Sequence, residues 1–394
     1  DARCQKEIVF LTQYYGEEKV KELFGRPIVS GDVCAKILWI KNNEPEVYEK
    51  TYKFLTGTSY LVAKLTGKFV IDRFLGIASL RPLYHMDGRI REEMCDLFCR
   101  PDQLPEGRVV TDVAGKVTAE AATATGLMEG TPVIVGTGDS SAEAISTGVI
   151  HPGDVMVQFG SSVFIYCCTE KLITDDRVRG NSFVIPNTFS IAAGTNNCGT
   201  ITKWFRDNLY PEAVALEAQG GPNAYETMME QIDRIPVGSG GLVTLPYFAG
   251  ERTPINDPNA RGLMIGLRLD HTKHHLYRSA LEGVAFSVAQ HIDIFRENGI
   301  SPLRIMAVGG GTKNRVWMQM VADAMGGPLN MAAVTVGACY GDALMAGIGV
   351  GIFRDFADLE RVIRPAVTLH PDAERHEQYQ YYRRIYDAAY LANR

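Results

Sequence analysis

The sequence has little of what marks a membrane, nucleic-acid-binding or disulfide-built protein. Its longest apolar stretch, Ala343 to Phe353, is interrupted by Gly347, Gly349 and Gly351 and falls short of a bilayer span, so no membrane partner is expected. Neither charge sign prevails: 40 Lys and Arg stand against 46 Asp and Glu, a formal net charge of −6. No global attraction to nucleic acid or an anionic surface follows from that balance. Cysteine is sparse, eight in 394 residues, and no CxxC spacing occurs; Cys95 and Cys99 lie one helical turn apart and Cys167 and Cys168 are adjacent. A disulfide framework and a zinc or redox motif are therefore not expected. Buried reduced thiols fit instead, and with them a cytoplasmic location. There is no low-complexity tract, no short repeat, and no opening signal-like segment.

What is present is the composition of a globular enzyme, 46% hydrophobic and 22% charged. Its 394 residues exceed one ordinary core, so two domains are expected. Helical periodicity runs from Lys6 to Phe24 through Ile8, Leu11, Tyr15, Val20 and Leu23, then over Ala35–Lys41 and Glu46–Leu65. Lys36 and Trp39 share the second of these, with Trp39 read as core; residues 96–106 read as a loop. The stretch Pro132–Val135 is the first clear strand, followed by the turn Gly136–Asp139 and a helix from Ser140. Ser140 and Glu143 fit a capping box. After Gly148 two β-rich runs, Val155–Phe159 and Val163–Cys168, read as a hairpin closed by Gly160–Ser162. Helices follow at Thr200–Leu209, at His274–Asn298 and from about Asn314, with strands near Gly241–Pro246 and at Arg304–Val308. A charged, aromatic helix over His376–Arg394 ends the chain. Strands alternating with helices predict an α/β protein with a boundary near residues 146–152.

Three turns bring small or acidic residues to strand ends, where α/β proteins bind ligands. In the first, a carboxylate at Asp139 can accept the proton of an attacking hydroxyl, or it can simply cap the helix. In the second, Gly160, Ser161 and Ser162 offer N–H groups and hydroxyls to phosphate oxygens, or form an ordinary hairpin tip. In the third, Gly309, Gly310 and Gly311 let a nucleotide approach the backbone before Asn314, or make a tight connection. The third is neither GxGxxG nor GxxxxGK[ST], which discourages dinucleotide oxidoreductase and P-loop readings. His271, His274 and His275 lack further ligands and read as a solvated first helical turn, so no metal site is expected among them.

Taken together these segments resemble one family in order and spacing. Residues 262–282, GLMIGLRLDHTKHHLYRSALE, are similar to the carboxy-terminal signature of the FGGY carbohydrate kinases. Residues 36–43, KILWIKNN, resemble the first signature, and residues 245–254, LPYFAGERTP, continuing through Asn259 to Gly262, resemble the xylulokinase-like branch. Residues 199–207 and 309–325 fit as well.

The resemblance implies two actin-like (ribonuclease H-like) ATPase domains closing on ATP and a sugar, here residues 1–148 and 149–394. It implies Asp139 as catalytic base, with Ser140 and Asp32 toward the sugar. Gly160, Ser161 and Ser162 become a phosphate turn; Gly199 and Lys203 are nucleotide contacts; Gly310, Gly311 and Asn314 form the adenosine end. ATP and Mg²⁺ are the implied cofactors, and a homodimer is compatible with it. The expected activity is phosphorylation of a small sugar, a ketopentose such as xylulose. A polyol or other sugar as acceptor, or a non-catalytic nucleotide- or sugar-binding protein on the same fold, stand as alternatives. The family's opening Asp-x-Gly-Thr phosphate turn has no counterpart, and Asp1–Arg3 resembles a segment roughly a hundred residues in, most of a domain by size. The first domain is thus expected to be incomplete. Asp32 occupies a place that often holds an aromatic residue, and reads either as a substrate contact or as a solvated loop acid.

Overall fold

The computed structural model describes residues 2–333 and 336–393. Its centre is a seven-stranded sheet drawn from the second half of the chain. The order is Pro365–Leu369, Leu329–Ala332, Arg304–Val308, Asp154–Phe159, Val163–Thr169, Phe189–Ala193, Arg179–Ser182. The turn at Gly160–Ser162 is too short for anything but antiparallel neighbours, and Asp154–Phe159, Val163–Thr169 and Phe189–Ala193 form an antiparallel meander. Arg304–Val308 and Leu329–Ala332 run parallel to the meander's first strand, joined through the helix Arg315–Met325. This α/β sheet is the ribonuclease H-like core of an actin-like domain.

The first half is helical around two small pairings, Val70–Asp72 parallel to Glu106–Arg108 and Val113–Lys116 antiparallel to Pro132–Ile134. Among the described residues it forms no larger sheet.

Strand periodicity divides the central sheet between two cores. Val155, Val157, Phe159, Ile165 and Ile305 join one cluster with the long helix Lys273–Glu297 and with Arg315–Met325. Met156, Tyr166, Cys168, Met306 and Val308 face the other way, onto Ala142, Ala144 and Ile145 and onto Leu344 and Met345. Side chains alternate with period two, so Gln158 also belongs to this second face. It therefore points at the helix that carries Asp139. The helix Ala338–Gly349 lies against that same helix so closely that a Cβ on Gly341 would stand 1.8 Å from the Ala142 carbonyl oxygen.

Two predicted helices are each broken in two. Gly16, at φ 77°, separates Gln5–Tyr15 from Glu17–Phe24, a conformation only glycine adopts freely. Thr56 caps a new helix, Gly57–Thr66, by accepting from the Ser59 N–H at 3.2 Å. The Thr51–Thr56 link is held extended, with Phe54 N–H donating to the Gln103 carbonyl and the Gln103 amide donating to Thr51. The long helix starts at Lys273 with Thr272 as its cap, whose N–H the His275 ring accepts. Seven cysteines are buried and unpaired and Cys339 is exposed. The predicted end of the last helix, Arg394, lies outside the described residues.

The segment joining the halves is clamped at the start of the sheet. Asp154 accepts the N–H groups of Ile150 and His151 at 3.1 and 2.8 Å. Arg304, from the neighbouring strand, binds Asp154 at 3.0 Å and also the Gly148 carbonyl.

Candidate active site

The Asp139 turn begins where the strand Pro132–Ile134 ends. Gly136 turns the chain at φ 68°, and the Thr137 carbonyl is anchored by the Thr58 hydroxyl at 2.9 Å. The helix starts at Asp139 with Gly138 as its cap, so the capping box expected of Ser140 and Glu143 does not form. Ser140 stands in the first turn and gives its N–H to Asp139 Oδ1 at 2.8 Å. Asp139 is exposed, in the first turn of the helix. It is not the cap, which leaves its second oxygen available for chemistry.

Glu143, one turn on, is occupied by the Gln158 amide, which donates to both carboxylate oxygens at 2.8 and 2.7 Å. Partial burial and the Asp139 charge push the Glu143 carboxyl up, against the Gln158 hydrogen bonds. Asp342, on the helix Ala338–Gly349, is pushed up by desolvation and by the same Asp139 charge. Asp139 therefore sits in an acidic neighbourhood of three carboxylates. Sequence reasoning missed Gln158 and Asp342. The legible signal for Gln158 was a single amide inside an otherwise apolar strand, two residues before Gly160; Asp342 sits in a helix with no motif to single it out.

Parallel pairing of Val308 with Gln158 brings two glycine turns side by side, at the carboxyl ends of their strands. Gly199 N–H donates to the Gly160 carbonyl at 2.9 Å, and the Cys198 and Thr200 N–H groups both donate to Ser161 at 3.1 Å. The hairpin tip is thus seated on the start of the helix Gly199–Leu209. A Cβ on Gly199 would stand 2.7 Å from the Gly160 oxygen; on Gly309, 2.7 Å from the Phe159 oxygen; on Gly311, 2.7 Å from Phe159 Cβ. Only glycine fits at those three contacts. Gly310 faces open space, and the N–H and hydroxyl groups of Ser161 and Ser162 have no protein partner among the described residues. The result is a backbone-lined edge with donors to spare, suited to phosphate oxygens.

Asn314 caps the helix Arg315–Met325, accepting from Trp317 N–H at 3.0 Å and placing its amide 2.9 Å from Met229 Sδ. Lys203 and Asp32 are placed otherwise. The Lys203 ammonium is turned along its helix to Asp207, both exposed. Asp32 is not a solvated loop acid: it is 2% exposed, gripped by both terminal nitrogens of Arg26 at 2.8 and 2.9 Å, and accepts the Val29 N–H. The last residue of the carboxy-terminal signature, Glu282, is structural. Buried, it accepts from Gly238 N–H, Ser239 hydroxyl, Arg278 and the Tyr379 hydroxyl, tying the last helix to the long one. Among the described residues no group of three His, Cys, Asp or Glu side chains is placed to hold a metal ion, and no helix is long and apolar enough to cross a membrane.

Comparison with known proteins places this arrangement. The model of the amino-terminal domain of the FGGY family of carbohydrate kinases matches residues 1–146, and that of the carboxy-terminal domain matches residues 155–350. A xylulose kinase of Bacillus subtilis is 29% identical over 388 residues, covering 96% of this chain and 74% of that protein. A gluconokinase of the same organism is 26% identical, covering 90% and 70%. The crystal structure of a xylulose kinase from Rhodospirillum rubrum superposes with a TM-score of 0.88 at 31% identity, over 100% of this chain and 78% of that one. With both family models matched and the strand-end turns assembled at one edge, the chain belongs to the FGGY family of carbohydrate kinases.

Proposed function

We propose that this kinase moves the γ-phosphoryl group of ATP onto a hydroxyl of a small neutral sugar, a ketopentose such as xylulose, with Asp139 as general base. Residues 1–148 and 149–394 are the two units that flank its cleft. The observation that carries this reading is an exposed Asp139 with one oxygen free, on the helix whose Glu143 is bound by Gln158, two residues before the Gly160 turn of the glycine edge. The acceptor hydroxyl loses its proton to the free Asp139 oxygen as its own oxygen attacks phosphorus, and ADP leaves. The Ser161 and Ser162 donors hold the phosphates in line.

Mg²⁺ would arrive on the phosphates, as it does where one or two carboxylates rather than a protein cage complete its shell. Asp342, without a protein partner among the described residues, is the side chain that would meet it. The ion supplies neutralisation of charge on the transferring group.

The charge around Asp139 bears on the acceptor. Glu143 and Asp342 both feel the Asp139 charge, so a carboxylate-bearing acceptor such as an aldonate would be repelled where a neutral polyhydroxylated one is not.

ADP release from ATP·Mg²⁺ across ketopentoses, aldoses, polyols and aldonates, for the purified protein and Asp139→Asn, tests this. Turnover of a neutral sugar, falling at least about 100-fold in Asp139→Asn with an unchanged circular dichroism spectrum, is the expected outcome. Nucleotide binding without phosphorylation of any acceptor would replace it with the non-catalytic binding reading.

A further inference from the structure

Beneath the Asp139 turn lies a buried carboxyl group that the transfer as described does not use. Asp72 ends the strand Val70–Asp72 and is 2% exposed. Its Oδ1 caps the helix Arg73–Ser79, accepting from Leu75 N–H at 3.1 Å. Its Oδ2 is buried with no hydrogen-bond partner. The hydroxyl of Thr137, two residues before Asp139, is also buried and also without a partner. The two orphaned groups are neighbours, near enough for the hydroxyl to favour the Asp72 carboxylate, though not in full hydrogen-bond geometry. Unpaired buried polar atoms are rare, and two facing each other beside a reacting group call for an explanation.

The contact is mechanically placed to matter. The helix capped by Asp72 sets the Leu75 side chain 3.3 Å from where a Cβ on Gly138 would stand. Asp72 and its helix therefore touch both residues that precede Asp139, and the Thr58 bond holds the same turn from the other side.

We propose that Asp72 is a positioning residue for phosphoryl transfer, which through Thr137 fixes the turn that presents Asp139 to the acceptor hydroxyl. The proposal rests on Asp139 being the base. A small closing movement would let ionised Asp72 accept the Thr137 hydroxyl; protonated, it would donate to it, and the hydroxyl would turn to another acceptor. The two forms hold the turn differently.

Burial pushes the Asp72 carboxyl up to about 7, opposed by the Leu75 N–H and Thr137. Few charged groups compete with it. Tyr166 faces it from the sheet, and itself is pushed up mainly by burial. Arg108, its register partner on the adjacent strand, is paired with Glu106 at 3.0 Å. Arg73, next on its own helix, lies over Gly88.

The test compares Asp72→Asn, which keeps a cap acceptor for Leu75, with Thr137→Val, Thr137→Ser and the Asp72→Asn/Thr137→Val double variant. Asp72→Asn and Thr137→Val are expected to lower kcat for the sugar about five- to ten-fold with KM unchanged, the size of one lost buried hydrogen bond. The double variant should lose no more than either alone, and Thr137→Ser should retain wild-type kcat. Infrared difference spectra should show an acid C=O stretch that titrates near neutral pH and is missing in Asp72→Asn. Wild-type kcat in both single variants, or additive losses in the double, overturns the positioning role while leaving a kinase whose Asp139→Asn variant is inactive. Absence of any sugar turnover by the wild type removes the base, and with it what Asp72 positions.

Discussion

Gly309 and Gly310 are adjacent in sequence and differ sharply in surroundings, which makes their alanine variants a test of the nucleotide edge. Gly309 has φ 90° and ψ 177°, a region essentially closed to other residues at about 1–3 kcal/mol. Its added methyl would press backbone, 2.7 Å from the Phe159 carbonyl oxygen and 3.0 Å from its carbon. Phe159 has little room to yield, because its ring packs edge-on against Trp317 at 5.7 Å. Overpacking of that kind adds about 1–3 kcal/mol, so Gly309→Ala should cost about 2–6 kcal/mol in all. In a unit of this size that lowers Tm by roughly 4–24 °C. Gly310 has ordinary φ, and a Cβ there meets nothing within 4 Å. Gly310→Ala should stay within about 0.5 kcal/mol of wild type, yet its methyl projects into the space a nucleotide would take. Thermal unfolding without ligand and calorimetric titration with a non-hydrolysable ATP analogue separate the two effects. Gly309→Ala should fail on the first; Gly310→Ala should pass it and bind the analogue about ten-fold more weakly. Equal Tm losses would refute the packing argument, and wild-type affinity in Gly310→Ala would remove the nucleotide from this edge.

Three further outcomes follow from buried groups and from the clamp. Glu282→Leu strands the buried Arg278 guanidinium and should cost about 3–5 kcal/mol in urea unfolding, with Arg278→Met/Glu282→Leu recovering much of it; a loss under about 1 kcal/mol would mean the pair contributes nothing. His291 is fully buried, held between the Ser287 carbonyl and the Thr253 hydroxyl, and burial lowers its pKa to about 4. Its unfolded form takes up a proton first as pH falls, so its contribution is full above about 6.5 and is lost as pH falls toward 4, roughly 3 kcal/mol at most. Tm should drop over that window more in wild type than in His291→Gln, and parallel pH curves would contradict it. Gly148→Ala, at φ 85° and with a Cβ 3.1 Å from the Arg304 guanidinium, should loosen the clamp between the halves and lower Tm by a few degrees, about 1–2 kcal/mol; an unchanged Tm would show that Arg304 simply moves aside.

Much of this was legible in the sequence because the relevant signals are local. The strand Arg304–Val308 and the hairpin around Gly160 stand where β-rich runs and a glycine-led turn place them. The helix after Asn314 starts there because Asn314 has the acceptor that caps it. Local signals failed where two solutions are close in energy. The periodicity over Lys6–Phe24 continues across Gly16, and only the backbone angle reveals the break. Ser140 is as good a cap by type as Gly138, but the chain is capped two residues earlier, which spares Asp139 from capping. Asp32 reads as a ligand by position until Arg26, six residues before it, takes both its oxygens.

The residues that sequence could not supply are those whose role depends on register. Gln158 is an unremarkable amide until the period-two pleat turns it toward Glu143. Asp342 has no motif of its own and gains its meaning from the helix contact at Gly341 and Ala142, which sets it beside Asp139. Asp72 and Thr137, 65 positions apart in the numbering, become neighbours only when the first half folds around the turn. Gln158, Asp72 and Thr137 are polar groups set against apolar layers, a placement that costs free energy unless it is offset, and with Asp342 they gather polarity near one carboxylate. On the proposed reading, that concentration around Asp139 acts on the acceptor alongside the family signatures. With Asp139 as the proposed base, it would favour an acceptor that brings hydroxyl groups and no negative charge of its own.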